Sequence, residues 1–529
     1  MEKITRQVLK VSREQQMGLF EEVHGPSTKE SIIRAPGVRT FVNPDPHDIF
    51  LGQCRLEDHL KQSKIKSPFI VRDVLGKQDW VTFESRYAPV GRAPYSPKCM
   101  MGLILYGIMQ GVTSLRGLAN FARTDLGSMW VTGGIYPDHS NIARFITLHG
   151  ESFSSDFFEG LTKTVLKQTG STADRLAGDG TVLEAACSHY NLLKGEAAQL
   201  QLQEARRQAQ KHPEDTHKQA DLAMALKVYD ELSQRKQARD AKGKKSDHLC
   251  ISATEPDAMV QPLKRGRGSG PSYKPSVLAN EKRVVVALDV DASSETAQIP
   301  VLLDQSKQIT GSAPKELLLD AGYFCDQMIK ESLERDISLL CPEGKRVGQA
   351  KQSSKYFTKG EFRYDEANDT YRCPAGHDLS PVSHYKGNDK YPGYVLYSTP
   401  ACATCPLKDR CTQSKEGRKL KRYAGDGAKD ALRLVMEQAP VKKIFSKRQA
   451  MVEPVFSALR GIQGLNRFRR KGLSGVKREF ALHILAYNIS RVVAINLLEL
   501  IALYRGFWLD LQAMNRNRWL GNIDQGKAA

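Results

Sequence analysis

No uncharged apolar run in this 529-residue sequence reaches the 18 residues that a membrane-spanning helix needs. The most apolar stretch, FALHILAYNISRVVAINLLELIALY, is interrupted by Arg491 and Glu499, so it reads as a buried helix. The N-terminal MEKITRQVLKVSREQQ lacks the apolar core of a signal peptide, and no lipidation motif is present. The expectation is a cytoplasmic protein with no membrane partner. Cysteine is also sparse: ten residues are too few for a secreted disulfide scaffold of this length. No Walker motif, dinucleotide-binding fingerprint or G-x-S-x-G elbow occurs, and the histidines show no ligand pattern.

Acid is short relative to base. Lys and Arg total 78 against 59 Asp and Glu, a net charge of +19 with a pI near 9.4. Such a balance suits a polyanionic partner, because each neutralised phosphate releases counterions. The imbalance is steepest between Val441 and Arg478, where eleven cations accompany a single acid, Glu453.

The chain divides by pattern. Residues 1–85 form an N-terminal arm with little periodicity, and 86–165 a helical domain. In the latter, two helices break around Gly111 and Ser140 stands as an N-cap. Segments 170–190, 280–345 and 440–505 supply an α/β core of alternating strands and helices. Into it are set a helical hairpin at 190–247, broken at His212-Pro213, and a basic, glycine-rich flexible linker at 248–279. A Cys-rich insertion at 362–423 and a tail at 506–529 complete the chain.

Phosphoryl transfer with divalent metal needs carboxylates converging from rigid elements, and open α/β sheets offer them at the C-terminal strand ends. Asp179 in LAGDGT and Asp320 at the end of LLLD fit, although Asp before Gly is also ordinary turn chemistry. Asp289 and Asp291 have similar local quality, and Glu184 and Asp257 are weaker competitors. Glu453 precedes Pro454, which is favoured at a first helical position, so this acid also suits a helix end. Val455, Phe456, Leu459 and Ile462 then form an apolar stripe, and Arg460 lies two turns beyond Glu453 on the same face.

Four thiols fall within 39 residues: Cys373, the C-x-x-C pair Cys402 and Cys405, and Cys411. They can close a tetrahedral structural Zn²⁺ site, with His377 able to replace one. Free thiols in a surface insertion are the plainer alternative, and the spacing does not match iron–sulfur ligation. Tyrosines and bases interleave nearby, in Tyr391, Tyr394, Tyr397 and KEGRKLKRY, a pattern that can grip DNA.

Together the blocks at RYAPVGRAPYSPKCMMGLILYG, LAGDGTVLEAACS, LLLDAGYF and MVEPVFSALRGIQGLNRFRRKG resemble DDE transposases of bacterial insertion sequences, in the group named after insertion sequence 1182. The resemblance spans about residues 80–190 and 280–500. It implies an RNase H-like fold in which Asp179, Asp320 and Glu453 form the catalytic triad and hold two Mg²⁺ (or Mn²⁺) ions. It further implies double-stranded DNA with terminal inverted repeats and target DNA as partners, DNA-end binding or dimerisation by the helical domain at 86–165, a homodimer on that DNA, and a place with the bacterial nucleoid. Arg460 matches the family's basic residue seven positions after the glutamate, and Arg467, Arg469, Arg470, Lys471 and Lys477 extend a DNA-binding surface. Related transposases carry a Tyr and an Arg seven and four residues before the glutamate; here Ser446 and Gln449 stand there, with Arg448 one residue away. Two alternatives stay open: a DNA-binding descendant without catalysis, and an RNase H-like nuclease.

Overall fold

The computed structural model describes residues 39–89, 91–263, 266–344, 356–388 and 392–495; the expected tail at 506–529 and the first 38 residues of the arm lie outside these. The N-terminal unit is helical, and its longer helices include α1 (Ser67–Gly76), α2 (Pro97–Met109), α3 (Leu115–Thr124), α4 (Leu126–Thr132) and α5 (His139–Leu148). Helix α2 is buried from Cys99 to Ile108, as expected of a helix that is apolar all round and forms a centre. Gly111 separates α2 from α3 at φ +79°, where an L side chain is strained. The cap of α5 is Asp138 rather than the expected Ser140. The Asp138 carboxylate accepts from Asn141 N and from Ser140 Oγ, both at 2.7 Å, so the serine serves the aspartate.

Helix α6 (Asp156–Gln168) leads into the main sheet. Its strands are β1 (Arg175–Gly180), β2 (Leu183–Glu184), β3 (Met259–Pro262), β4 (Ser269–Asn280) and β5 (Val285–Asp291). Between β2 and β3, helices α7 (Gly195–Lys211) and α8 (Thr216–Asp240) pack on each other as a pair. Helix α9 (Ile299–Thr310), strand β6 (Glu316–Leu318), helix α10 (Asp326–Glu334) and strand β7 (Ser338–Leu340) follow β5. The path through the sheet centre is β5–β4–β1–β6–β7. Strands β5, β4 and β1 are antiparallel neighbours, whereas β1, β6 and β7 run parallel.

The flexible linker expected at 248–279 is corrected here. It contains β4, a 12-residue strand, mostly buried, that pairs with β1, β2, β3 and β5. Glycine and two prolines hide it in the sequence. Pro271 and Pro275 keep their place through their carbonyls, which accept from Ala185 N at 2.9 Å and Thr181 N at 3.0 Å.

A five-stranded antiparallel sheet occupies the Cys-rich region: β8 (Arg363–Asp365), β9 (Thr370–Arg372), β10 (Asp378–Gly387), β11 (Pro392–Ser398) and β12 (Leu420–Arg422). Helices α11 (Asp426–Glu437), α12 (Ala439–Phe445), α13 (Arg448–Gly461) and a last helix, α14, at 473–495 return the chain to the main sheet. One face of that sheet carries α9 with Leu302, Leu319 and Met328; the other carries α13 and α14 with Val452, Val455 and Leu485. Asn488 of α14 fastens strand β5, accepting from Val285 N at 2.9 Å and donating to Val285 O at 2.8 Å. No described helix is long and apolar enough to cross a membrane.

Candidate active site

Strands β1 and β6 pair in parallel, with Leu318 opposite Ala177. Carrying that register on by two residues sets Asp320 beside Asp179. Asp179 still lies within its strand, between two glycines that leave no room for a side chain. A Cβ at Gly178 would come 2.5 Å from Leu319 Cδ2, and one at Gly180 would come 2.8 Å from the Glu295 carboxyl carbon. Asp320 caps the turn Ala321–Tyr323, its Oδ1 accepting from Gly322 N at 2.9 Å. The Asp179 side chain is 21% exposed and that of Asp320 47%, so the pair opens to solvent on one side.

Arg448, the first residue of α13, joins them. Its Nη2 donates to Gly178 O at 2.9 Å and lies 3.3 Å from Asp179 Oδ1 and 3.9 Å from Asp320 Oδ2. The side chain is buried because it heads the inward stripe of α13, followed by Met451, Val452, Val455, Phe456 and Leu459. Its Nε is buried without a partner among the described residues. The arginine one residue off the family spacing is thus the one that reaches the aspartates; Gln449 is not.

Glu453 has a different setting. Five residues beyond Arg448, it is turned about 140° around the helix axis, and it is exposed. It makes no hydrogen bond or ion pair among the described residues. Two turns further on, nearly on its own face, Arg460 donates to Thr181 Oγ1 just past the end of β1. Helix α13 therefore touches that strand end through Arg448 and Arg460, with Glu453 between them in sequence. The expected start of the helix at Pro454 is corrected: the helix begins at Arg448 and Pro454 lies inside it. Proline removes the N–H that would reach Ala450 O, and Arg283 Nε donates to that carbonyl instead, at 3.0 Å.

The competing carboxylates have structural employment. Asp289 pairs with Lys477 at 2.7 Å, and Asp291 accepts from Ser293 N and Ser294 N at 2.6 and 2.8 Å. Asp257 holds Lys227 at 2.6 Å and Leu473 N at 2.9 Å, which keep its carboxyl below the usual range despite burial. Glu184 is buried against Arg267 and His189. Two residues given no role from the sequence adjoin the aspartates: Glu295 against Gly180, and Tyr323, whose buried hydroxyl has no partner among the described residues. Burial first, then the charges of Glu295, Asp179 and Asp320, hold the Tyr323 phenol well above its ordinary pKa.

The expected DNA-binding cations divide. Arg467 is bound internally, to Ala185 O at 2.8 Å and to Cys187 O, and Lys477 to Asp289. Arg469 and Lys471 are exposed, and Arg470 is half-buried. With Arg116, Lys227 and Arg478 these three line a cleft of about 1010 Å³.

Cys373, Cys402, Cys405 and Cys411 all line one small cavity, together with His377. Cys373 Sγ accepts from His377 N at 3.3 Å, and Gly417, at φ +87°, leaves 2.4 Å between its notional Cβ and Cys402 Cβ. Burial pushes the Cys411 thiol up, and the three other thiols add to this. Among the described residues, however, no three His, Cys, Asp or Glu side chains are gathered closely enough to hold a metal ion. This holds both for these thiols and for Asp179, Asp320 and Glu453, so the glutamate expected beside the aspartates is not drawn in with them. The apolar stripe that buries Arg448 and Val452 is what turns position 453 outward.

Two comparisons with protein families bear on this arrangement. Residues 61–148, which contain α1 to α5, match the family described as Transposase domain (DUF772). Residues 372–493, from β9 through α13 into α14, match the family described as Transposase DDE domain. The second match includes Arg448, Glu453 and the four thiols, and leaves Asp179 and Asp320 outside it. No curated protein matches the chain. Two separate stretches of the chain are thus similar to transposase domains, and together they support an insertion-sequence transposase.

Proposed function

We propose that the chain is a DDE transposase of the insertion sequence 1182 group, with an RNase H-like core. It binds the terminal inverted repeats of its element and then cuts and joins DNA strands. One observation carries the reading: Asp179 and Asp320 lie side by side at the ends of adjacent parallel strands, clasped by Arg448 from the helix that bears Glu453. The strand order β5–β4–β1–β6–β7, with three antiparallel and then two parallel neighbours, supports the fold assignment.

The paired aspartates fit a hard divalent ion. Their oxygens converge where one nitrogen cation, Arg448 Nη2, already lies within 4 Å of both. We assign Mg²⁺ or Mn²⁺ to Asp179, Asp320 and Glu453, the last of which would have to turn in from its exposed position to join the pair. When bound, such ions supply Lewis-acid stabilisation of the attacking and leaving oxygens in phosphodiester displacement. The chain does the rest. Asp320 is fixed by its turn and Asp179 by its glycine-flanked strand, so neither carboxylate need reorganise. Arg448 offsets their mutual repulsion, and Arg460 holds the end of β1 in place. Arg469, Arg470 and Lys471 at the basic cleft bind phosphate. A structural Zn²⁺ at Cys373, Cys402, Cys405 and Cys411 would have to draw together thiols that line one cavity but stand apart, and would then fasten the small sheet. The partner is double-stranded DNA, bound by a homodimer in the bacterial cytoplasm.

A second reading, a DNA-binding protein without catalysis, is favoured by the outward position of Glu453. Incubating the purified protein with end-bearing DNA and Mg²⁺ decides between them. Nicked or joined product supports the transposase; binding without any product refutes it.

A further inference from the structure

We propose that the outer face of the five-stranded sheet binds an unpaired DNA strand, with Tyr385, Tyr394 and Tyr423 as its stacking row. The identity of the polymer rests on the transposase reading above; the site itself lies outside the carboxylate cluster.

Tyr385 of β10 and Tyr394 of β11 are cross-strand partners, with ring centroids 5.2 Å apart and planes inclined at 37°. Tyr423, just past β12, extends the row: its ring centroid is 5.8 Å from that of Tyr394. All three are half-exposed, whereas Tyr371 and Tyr397 of the same sheet are buried in its core. Strand alternation explains the split, since Tyr397 lies opposite Leu420 on the inner face and Lys421 projects from the outer one. Lys421 Nζ stands 4.2 Å from the Tyr394 ring centroid, is exposed, and forms no ion pair among the described residues. Tyr385, Tyr394 and Tyr423 line a cleft of about 1190 Å³ that exposed Lys386 and His384 border. Its two acids are already engaged: Asp326 by Lys429 at 2.8 Å, Asp369 by the Tyr364 and Tyr397 hydroxyls.

Cations set beside half-exposed aromatic rings match the two surfaces of a single strand, its phosphates and its bases. In a duplex the base faces are stacked on one another, and an aromatic row has nothing to receive. The cleft reaches Asp326, the first residue of α10 and six residues after Asp320. A strand lying on the row is thereby placed next to the element that follows the second aspartate.

The test titrates full-length protein with a labelled oligothymidine and with a duplex of equal length, at one fixed salt concentration. Tyr394→Leu should weaken oligothymidine binding about tenfold and leave duplex binding within about twofold, because the lost term is base stacking. Tyr394→Trp should bind the single strand at least as tightly as the parent, a result that misfolding does not produce. Lys421→Gln should reduce the salt dependence of single-strand binding by about one phosphate. Unchanged oligothymidine binding in Tyr394→Leu overturns the proposal, as does an equal loss on duplex. Strand cleavage is scored separately: its absence with this pattern intact sinks the transposase reading alone, and its presence with the pattern missing sinks this proposal alone.

Discussion

The guanidinium of Arg448 lies 3.3 Å from the carboxylate of Asp179, across 269 residues of chain. The same nitrogen is hydrogen-bonded to Gly178 O, so the arginine fastens both the backbone and the side chain of β1 to α13. Arg448→Ala should destabilise the protein by about 2–3 kcal/mol. That is below the full cost of breaking a buried ion pair, because Asp320 is half-exposed. Arg448→Lys should recover only part of the loss, since one ammonium does not match a guanidinium fork. Thermal unfolding of the three proteins checks the order.

The proline within α13 gives a double-mutant cycle. Arg283→Ala removes the donor to Ala450 O and should cost about 1 kcal/mol. Pro454→Ala restores an N–H that reaches the same carbonyl, so the Arg283→Ala penalty should shrink in the Pro454→Ala background. Denaturant unfolding of the four proteins measures the coupling; equal penalties in both backgrounds would show that Arg283 does not serve this carbonyl.

Acid should weaken the fold through buried imidazoles. Burial, then Arg469, pushes His483 down to about 3, and burial with Arg86 pushes His149 down to about 4. An unfolded histidine takes up its proton near pH 6.5, and the folded one resists. The stability these groups contribute is complete above pH 6.5 and is lost as pH falls from there toward 3–4. His483→Gln should remove about 1–3 kcal/mol of the decline between pH 6.5 and 4, read as a flatter melting temperature against pH.

The thiol cavity predicts a metal content. Protein expressed in zinc-supplemented medium should carry about one Zn²⁺ per chain by elemental analysis, and Cys402→Ser with Cys405→Ser should carry none. Zinc retained by that variant would remove these thiols from the site.

Helical periodicity made the helices after residue 86 legible, whereas α1 lies in the arm expected to have little periodicity, and the runs LAGDGT and LLLD pointed to Asp179 and Asp320 at strand ends. Strand β4 was hidden because Gly270, Pro271 and Pro275 spell a linker in composition, while its neighbours supply the pairing that makes it a strand. Asp138 displaced Ser140 as a cap because two capping residues stood two positions apart and only the carboxylate accepts from both donors. Arg448 was visible only as a near miss in spacing. Tyr323 stood in the run LLLDAGYF without a role, whereas Glu295 gave no signal, since it reaches the site by packing against the distant Gly180. The direction of Glu453 depended on where α13 begins; reading Pro454 as the first turn concealed the buried stripe that starts at Arg448.

The most direct test of the central claim is single-turnover cleavage of end-bearing DNA in Mg²⁺ by Asp179→Asn, Asp320→Asn and Glu453→Gln, with DNA affinity measured on the same preparations. All three should lose cleavage by at least about 100-fold and keep affinity within about twofold, because each removes a proposed metal ligand and no phosphate contact. Cleavage by Glu453→Gln at the parent rate would contradict the account, since the helix that carries this acid would then hold the aspartates without taking part in the reaction.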